Sequence, residues 1–262
     1  MRKLMMGGMV ILSLVCSWAV AQGDLQNPAV KFYEGNLAYK QNNYAQAMTL
    51  YEEVLNQGVA SGALYYNLGN SYLKTQKMGK AILSYERAKI FIPRDSDLQS
   101  NLDYAVSLSK ASSPISEISL LKRISHYYQD MFTAREMMWL AAFFCLLLGI
   151  AVIGAEMVSL SQWKQWVVIG ILAFLALGQG VMWVSKSKDT LKAAVILEDA
   201  QARFEPSDQA TQHFYLFAGE KIFVVKIEGA WAKIERLDGK LGWVQASSFE
   251  KILRFGKEQE LQ

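Results

Sequence analysis

Cysteine and histidine are scarce in this chain of 262 residues, with two of each. Cys16 and Cys145 both lie inside apolar segments, which excludes a disulfide framework and a cysteine-based metal site. His126 and His213 stand far apart, with no carboxylate or thiol cluster beside either, so each reads as a surface or interfacial residue. Charge of one sign is also missing. A net charge of +3 without a dense basic stripe gives no sign of a nucleic-acid surface. The chain has no Gly-x-Ser-x-Gly elbow, Walker loop, zincin motif or paired-carboxylate arrangement, and Glu52 and Glu53 fall on a solvated helix face. The expectation is a protein with no catalytic site, no cofactor and no metal.

Two long uncharged runs dominate what is present. Residues 137–155 and 166–184 each hold 19 residues without a formal charge. As a helix each spans about 28 Å, close to the thickness of a hydrocarbon core. A polar loop, 156–165, separates them, with Trp139 and Trp183 at one end of the hairpin and Trp163 and Trp166 at the other, as interfacial belts are placed. Thr133 and Glu136 form a capping box that opens the first span. Ala141, Cys145 and Gly149 on one span, and Ala173, Ala176 and Gly180 on the other, make small-residue stripes expected to face each other. Residues 1–21 read as an export signal, with Arg2 and Lys3 before an apolar stretch and small residues up to Ala21.

Between these lies a repeat. Aligning Ala47 with Ala81 also pairs Gly35 with Gly69, Tyr51 with Tyr85 and Val54 with Ala88, a period of 34. That period, with small residues at the eighth and twentieth positions, resembles the tetratricopeptide repeat. Gly35 with Ala47, and Gly69 with Ala81, let two antiparallel helices approach, and Tyr51 and Tyr85 fill the space between hairpins. The second copy fits better; the first has Glu34 where leucine is usual. Asn27 and Pro28 open the first helix, and Asp95 or Ser96 caps a fifth helix that covers the last apolar face. The repeats fall at about 28–61 and 62–95, with a capping helix at 96–110, inside a domain of residues 22–111. Residues 112–136 follow as a juxtamembrane linker. Its 112–130 part reads either as an interfacial amphipathic helix or as a connector packed on the repeats.

In a repeat of this kind the first helix lines the concave face. The partner-binding candidates are therefore Phe32, Asn36, Tyr39 and Lys40, then Tyr66, Asn70 and Lys74. Asn36 and Asn70 are expected to hydrogen-bond the backbone of an extended peptide, with Phe32, Tyr39 and Tyr66 stacking on its side chains. The plainer alternative is that asparagine is common at these positions in any such repeat. Basic residues that would grip a C-terminal carboxylate are missing at Phe32, Asp97 and Asn101, which argues against a carboxylate clamp.

After a polar linker at 185–192 the pattern alternates. Candidate strands are 193–198, 201–205, 221–227, 231–236 and 241–245, with turns at 205–207, 228–229 and 238–239. Short strands with such turns indicate a small β-barrel over 193–254, followed by a tail at 255–262. Arg203 to Ser207, Phe217 to Glu220, Trp231 to Ile234 and Asp238 to Val244 resemble the motifs of bacterial SH3 domains. Groove candidates are Phe204, Phe214, Tyr215, Trp231 and Trp243, whose other reading is barrel core. Such a barrel binds a protein partner, its own repeat domain, or cell-wall peptide; a purely structural role is a further reading.

The fold class is thus a multidomain membrane protein: all-α tetratricopeptide hairpins, a two-helix transmembrane hairpin and a small all-β SH3-like barrel. This order resembles the E-type proteins of the Bacteroides aerotolerance group (BatE-like). The resemblance implies a non-enzymatic envelope scaffold at the bacterial inner membrane, working with von Willebrand A-domain membrane proteins and a MoxR-type ATPase system and linked to aerotolerance or stress. The alternative is a cell-wall anchor using the SH3-like domain on peptidoglycan peptide. An export signal and two spans leave both soluble parts in the periplasm. Lys122, Arg123, Arg135, Lys186, Lys188 and Lys192 at the outer ends, against Lys164 in the loop, pull the opposite way.

Overall fold

The computed structural model describes residues 27–110, 124, 127–128, 131–154 and 162–253. The expected export signal, most of the juxtamembrane linker, most of the loop between the long helices and the tail lie outside these residues. The first described elements are five helices: α1 (Pro28–Lys40), α2 (Tyr44–Asn56), α3 (Gly62–Lys74), α4 (Met78–Phe91) and α5 (Ser96–Leu108). Asn27, Ser61 and Asp95 cap α1, α3 and α5 by accepting from the backbone N–H of Ala29, Leu64 and Leu98. The α1–α2 and α3–α4 turns are copies of one another. Asn42 and Gln76, 34 residues apart, both take a positive φ near 60°. The following N–H groups of Asn43 and Lys77 reach back to Ala38 and Tyr72 at 2.9 Å.

The glycines of this repeat are filled from across the hairpin. A Cβ on Gly35 would lie 2.5 Å from the Tyr51 ring, and one on Gly69 2.6 Å from the Tyr85 ring. Ala47, Ala81, Tyr51 and Tyr85 are fully buried. The side-chain size pattern read at period 34 is therefore a packing pattern, but each tyrosine lies on the bare backbone of its own hairpin, where the expectation placed it between one hairpin and the next.

Two long apolar helices follow, α6 (Ala134–Gly154) and α7 (Gln162–Lys192), and both are long and apolar enough to cross a membrane. The Thr133–Glu136 box closes as expected: Thr133 N–H donates to Glu136 Oε2 at 2.8 Å, and Glu136 N–H to Thr133 Oγ1 at 3.1 Å. Two expectations fail here. The polar stretch at 185–192 is not a linker but the last turns of α7, which runs 31 residues without a break. Residues 185–192 contain neither proline nor glycine, and the hydroxyls of Ser187 and Thr190 bond back to the carbonyls of Trp183 and Lys186, so polarity alone does not end the helix. Lys186 also donates to the carbonyl of Phe132, beside the start of α6. The small-residue stripes do not face each other along their length either. Cys145 and Gly149 are exposed, and a Cβ on Gly149 or Gly180 would meet nothing within 4 Å. The covered seam of α6 runs through Met137, Ala141, Phe144, Leu147 and Leu148, and α7 contributes Ala173 and Ala176, so Ala141 alone of the α6 stripe lies on it.

The chain passes from Lys192 straight into the first of seven strands. These are β1 (Ala193–Ile196), β2 (Ala200–Arg203), β3 (Gln212–Leu216), β4 (Lys221–Glu228), β5 (Trp231–Arg236), β6 (Leu241–Gln245) and β7 (Phe249–Lys251). They form one antiparallel sheet in the order β3-β2-β6-β5-β4-β1-β7. The strands β3 and β7 were not expected. The first starts with polar residues and the second has only three residues, so neither gives a readable alternation. Ala194, Ile196, Leu216, Ile222, Ala232, Ile234 and Val244 fill the β-domain core.

This β-domain packs on α4. Ala193, Val195, Leu197, Phe223 and Ile252 join the same apolar cluster as the helical repeat. Arg87 of α4 is buried and donates to the carbonyls of Ile252 and Lys251 at 3.0 and 2.8 Å and to Glu250 at 2.8 Å. Lys221 pairs with Glu86 at 3.0 Å. The approach is close enough that a Cβ on Gly79 would lie 2.2 Å from the carbonyl oxygen of Leu197. Gly219, at φ +90°, lets the β-domain backbone pass over Ile82.

Candidate functional site

The first helices α1, α3 and α5 lie in a row, and along that row runs a ladder of asparagines. Asn36 Oδ1 accepts from the Tyr51 hydroxyl at 2.8 Å and from Asn67 Nδ2 at 2.9 Å. One repeat later, Asn70 Oδ1 accepts from the Tyr85 hydroxyl at 2.7 Å and from Asn101 Nδ2 at 2.9 Å. Helix α5 thus stands where the first helix of a third hairpin would stand. Both tyrosines are ordinary donors here, because burial pushes the Tyr51 phenol up to about 12 and also raises that of Tyr85.

These bonds orient every amide. Asn36 and Asn70 spend their oxygens inside the repeat and keep their Nδ2 groups, two donors each, without a partner among the described residues. Asn67 spends one donor, Asn101 donates to both Asn70 and the Tyr66 hydroxyl, and both keep their oxygens. The half-buried row therefore presents donor, acceptor, donor, acceptor along its length.

The other expected groove residues divide. Lys40 and Lys74 are exposed at the ends of α1 and α3. Phe32, Tyr39 and Tyr66 are half-buried, with their rings against the repeat rather than free: Phe32 lies 5.8 Å from Tyr51, Tyr39 5.1 Å from Tyr44 and Tyr66 6.2 Å from Tyr85. The Tyr66 hydroxyl also accepts from Asn101 at 2.9 Å. Asn67 and Asn101 were missed as partners, although their spacing of 34 repeats that of Asn36 and Asn70.

On the β-domain the five aromatic candidates do not converge. Phe214 points to the core side, beside Gly242, with the Arg236 guanidinium 5.2 Å from its ring. Phe204 is exposed and stacks on His213 at 4.1 Å. Trp231 and Trp243 share the outer face of β5 and β6, where the register places Trp231 opposite Gln245 and Trp243 opposite Lys233. Trp243 is 8% exposed and lies under the Lys226 ammonium at 5.0 Å, so it is largely spoken for. Trp231 is half-buried. Tyr215 is exposed, opposite Gln201 on β2. At the β5–β6 turn, Arg236 and Lys240 hold the Asp238 carboxyl well below the usual range.

The described residues form a helical repeat and a seven-stranded antiparallel sheet, packed together beside two long apolar helices. No protein-family model matches the chain, and no curated protein matches it.

Proposed function

We propose that this chain is a non-enzymatic scaffold, anchored in a bacterial inner membrane by α6 and α7, whose row of first helices grips an extended segment of a protein partner. The alternating polarity of the asparagine row carries this reading. An extended backbone offers carbonyls and N–H groups in turn, and Asn36, Asn67, Asn70 and Asn101 offer their complements in turn. In this reading the helices are tetratricopeptide repeats, the sheet is an SH3-like domain, and both soluble parts are periplasmic. The likeness to the aerotolerance E-type proteins supports A-domain membrane proteins and a MoxR-type ATPase system as the partners.

The test follows from the hydrogen bonds. Alanine at Asn36 and Asn70 would strand the tyrosine and asparagine donors and disturb the repeat itself. The double variant Asn36→Asp with Asn70→Asp keeps an oxygen acceptor for each tyrosine and asparagine donor and replaces the free donor by a second, negatively charged oxygen. The expected outcome is at least a tenfold loss in co-purification of the A-domain proteins with the full chain, at a melting temperature changed by only a few degrees. Unchanged co-purification overturns the groove.

A further inference from the structure

Where helical repeat and β-domain touch, each side contributes charges of both signs, and these pair across the junction. Lys221 meets Glu86 at 3.0 Å and Arg87 meets Glu250 at 2.8 Å. Beyond that contact the walls part into an open cleft of about 1110 Å³. One wall is the α3–α4 turn and the start of α4, with Lys77 and Lys80. The other is the β1–β2 turn with Glu198 and Asp199, the outer face of β2, β5 and β6 with Arg203 and Trp231, and Asp208 from the β2–β3 connection.

None of these six charged side chains makes an ion pair among the described residues. Their contacts are local and weak in charge terms. Lys77 reaches only the sulfur of Met48 at 3.7 Å, and Lys80 lies 5.7 Å from the centre of the Tyr72 ring. Asp199 accepts from the backbone N–H of Ala218 at 2.9 Å, Asp208 accepts from Gln245 at 3.3 Å, and Arg203 donates to the carbonyl of Ala210 at 2.6 Å. Charges that pair at the contact are thus followed in the cleft by charges left unpaired across it: two lysines on the helical wall, and three carboxylates beside Arg203 on the other. A ligand that bridges the walls needs a negative end for the lysines, a positive end for the carboxylates, and a body that lies on Trp231.

We propose that this cleft binds a short dipolar peptide, with a carboxylate held by Lys77 and Lys80 and an ammonium held by Glu198, Asp199 and Asp208. The volume of about 1110 Å³ slightly exceeds the range of about 300–1,000 Å³ for small-molecule sites, which admits a few residues and not a folded domain. The same chemistry occurs in free-ended protein fragments and in cell-wall stem peptides that carry a diaminopimelate ammonium. The site lies apart from the asparagine row and does not depend on the reading of that row.

The experiment titrates the full chain in lipid nanodiscs with three probes: the tripeptide Glu-Ala-Lys, its end-capped Ala-Ala-Ala counterpart, and a diaminopimelate stem tripeptide. Calorimetry is expected to show binding of a dipolar probe at least tenfold tighter than the capped one, weakening as salt rises. Preference between Glu-Ala-Lys and the stem tripeptide identifies the source. Lys77→Gln with Lys80→Gln, and separately Glu198→Gln with Asp208→Asn, are each expected to weaken the dipolar probe by tenfold or more. All four positions are exposed, and unchanged melting checks that each variant is folded. Equal affinity for capped and dipolar probes, no binding of either, or indifference to both pairs of substitutions overturns the proposal.

Discussion

Small residues at helical spacing occur twice in this molecule, and the two sets do different things. In the helical repeat, Gly35 and Gly69 lie under tyrosine rings, so that an added Cβ would come within 2.5 and 2.6 Å of them. In the long-helix hairpin, Gly149 and Gly180 would meet nothing within 4 Å. The sequence pattern is equally regular in both. What separates them is the presence of a large partner at a fixed offset: Tyr51 follows Gly35, and Tyr85 follows Gly69, by 16 residues. A small residue predicts close packing where the sequence also supplies what will occupy the space.

The largest effect tests that contrast directly. Gly69→Leu is expected to cost about 3 kcal/mol or more, because Tyr85 is fully buried, bonded to Asn70 and has nowhere to retreat. Gly149→Leu, on an open helix face, is expected to change stability by less than about 0.5 kcal/mol. Thermal melting of both variants, followed by far-ultraviolet dichroism, compares them; similar losses would dissolve the distinction.

A smaller effect comes from the same tyrosines. In an unfolded chain tyrosine ionises near pH 10. Burial raises Tyr51 to about 12 and raises Tyr72 and Tyr85 as well; the Glu52 carboxylate, which accepts from the Tyr72 hydroxyl, pushes Tyr72 further. Between those values the folded state holds protons that the unfolded state has lost. The stability this confers is complete below pH 10 and is lost as pH rises through the folded values. Melting of the helical repeat is expected to fall between pH 9 and pH 11.5, in step with phenolate absorbance at 295 nm. Tyr51→Phe should flatten the dependence. A melting temperature that stays level over that range would mean the rings are not buried as described.

The smallest effect concerns the hairpin, with no change in stability expected. Cys145 is exposed on α6, so its oxidative cross-linking to cysteines placed at Ala173 or Ala176 should be no better than background. A cysteine at Phe144, which is half-buried on the seam, should cross-link once Cys145 is replaced by serine. A maximum for Cys145 instead would restore the facing stripes.

Much of the fold was legible because its signals are local or periodic. The five helices, the two long apolar ones and the strands β5 (Trp231–Arg236) and β6 (Leu241–Gln245) were readable from spacing and turn residues. The candidate site was half legible. Asn36 and Asn70 stood out by period, but what matters about them is which end of each amide is free. That depends on Tyr51, Asn67, Tyr85 and Asn101, partners 15 and 31 residues away.

By itself the sequence determined the period of 34, the glycine–tyrosine offset within it, the two uncharged runs and the alternation of the β-domain. Each is set by backbone geometry and by the need to hide apolar surface, and both act over a few residues. Tertiary structure alone decided that Arg87 is buried against strand β7, more than 160 residues away, and that Gly79 admits the carbonyl of Leu197. It also decided that the charges of two walls pair at one end of their junction and stand apart at the other. Nothing periodic marks such residues, because their partners belong to a domain with a different period. Only the docking of two finished surfaces brings them together.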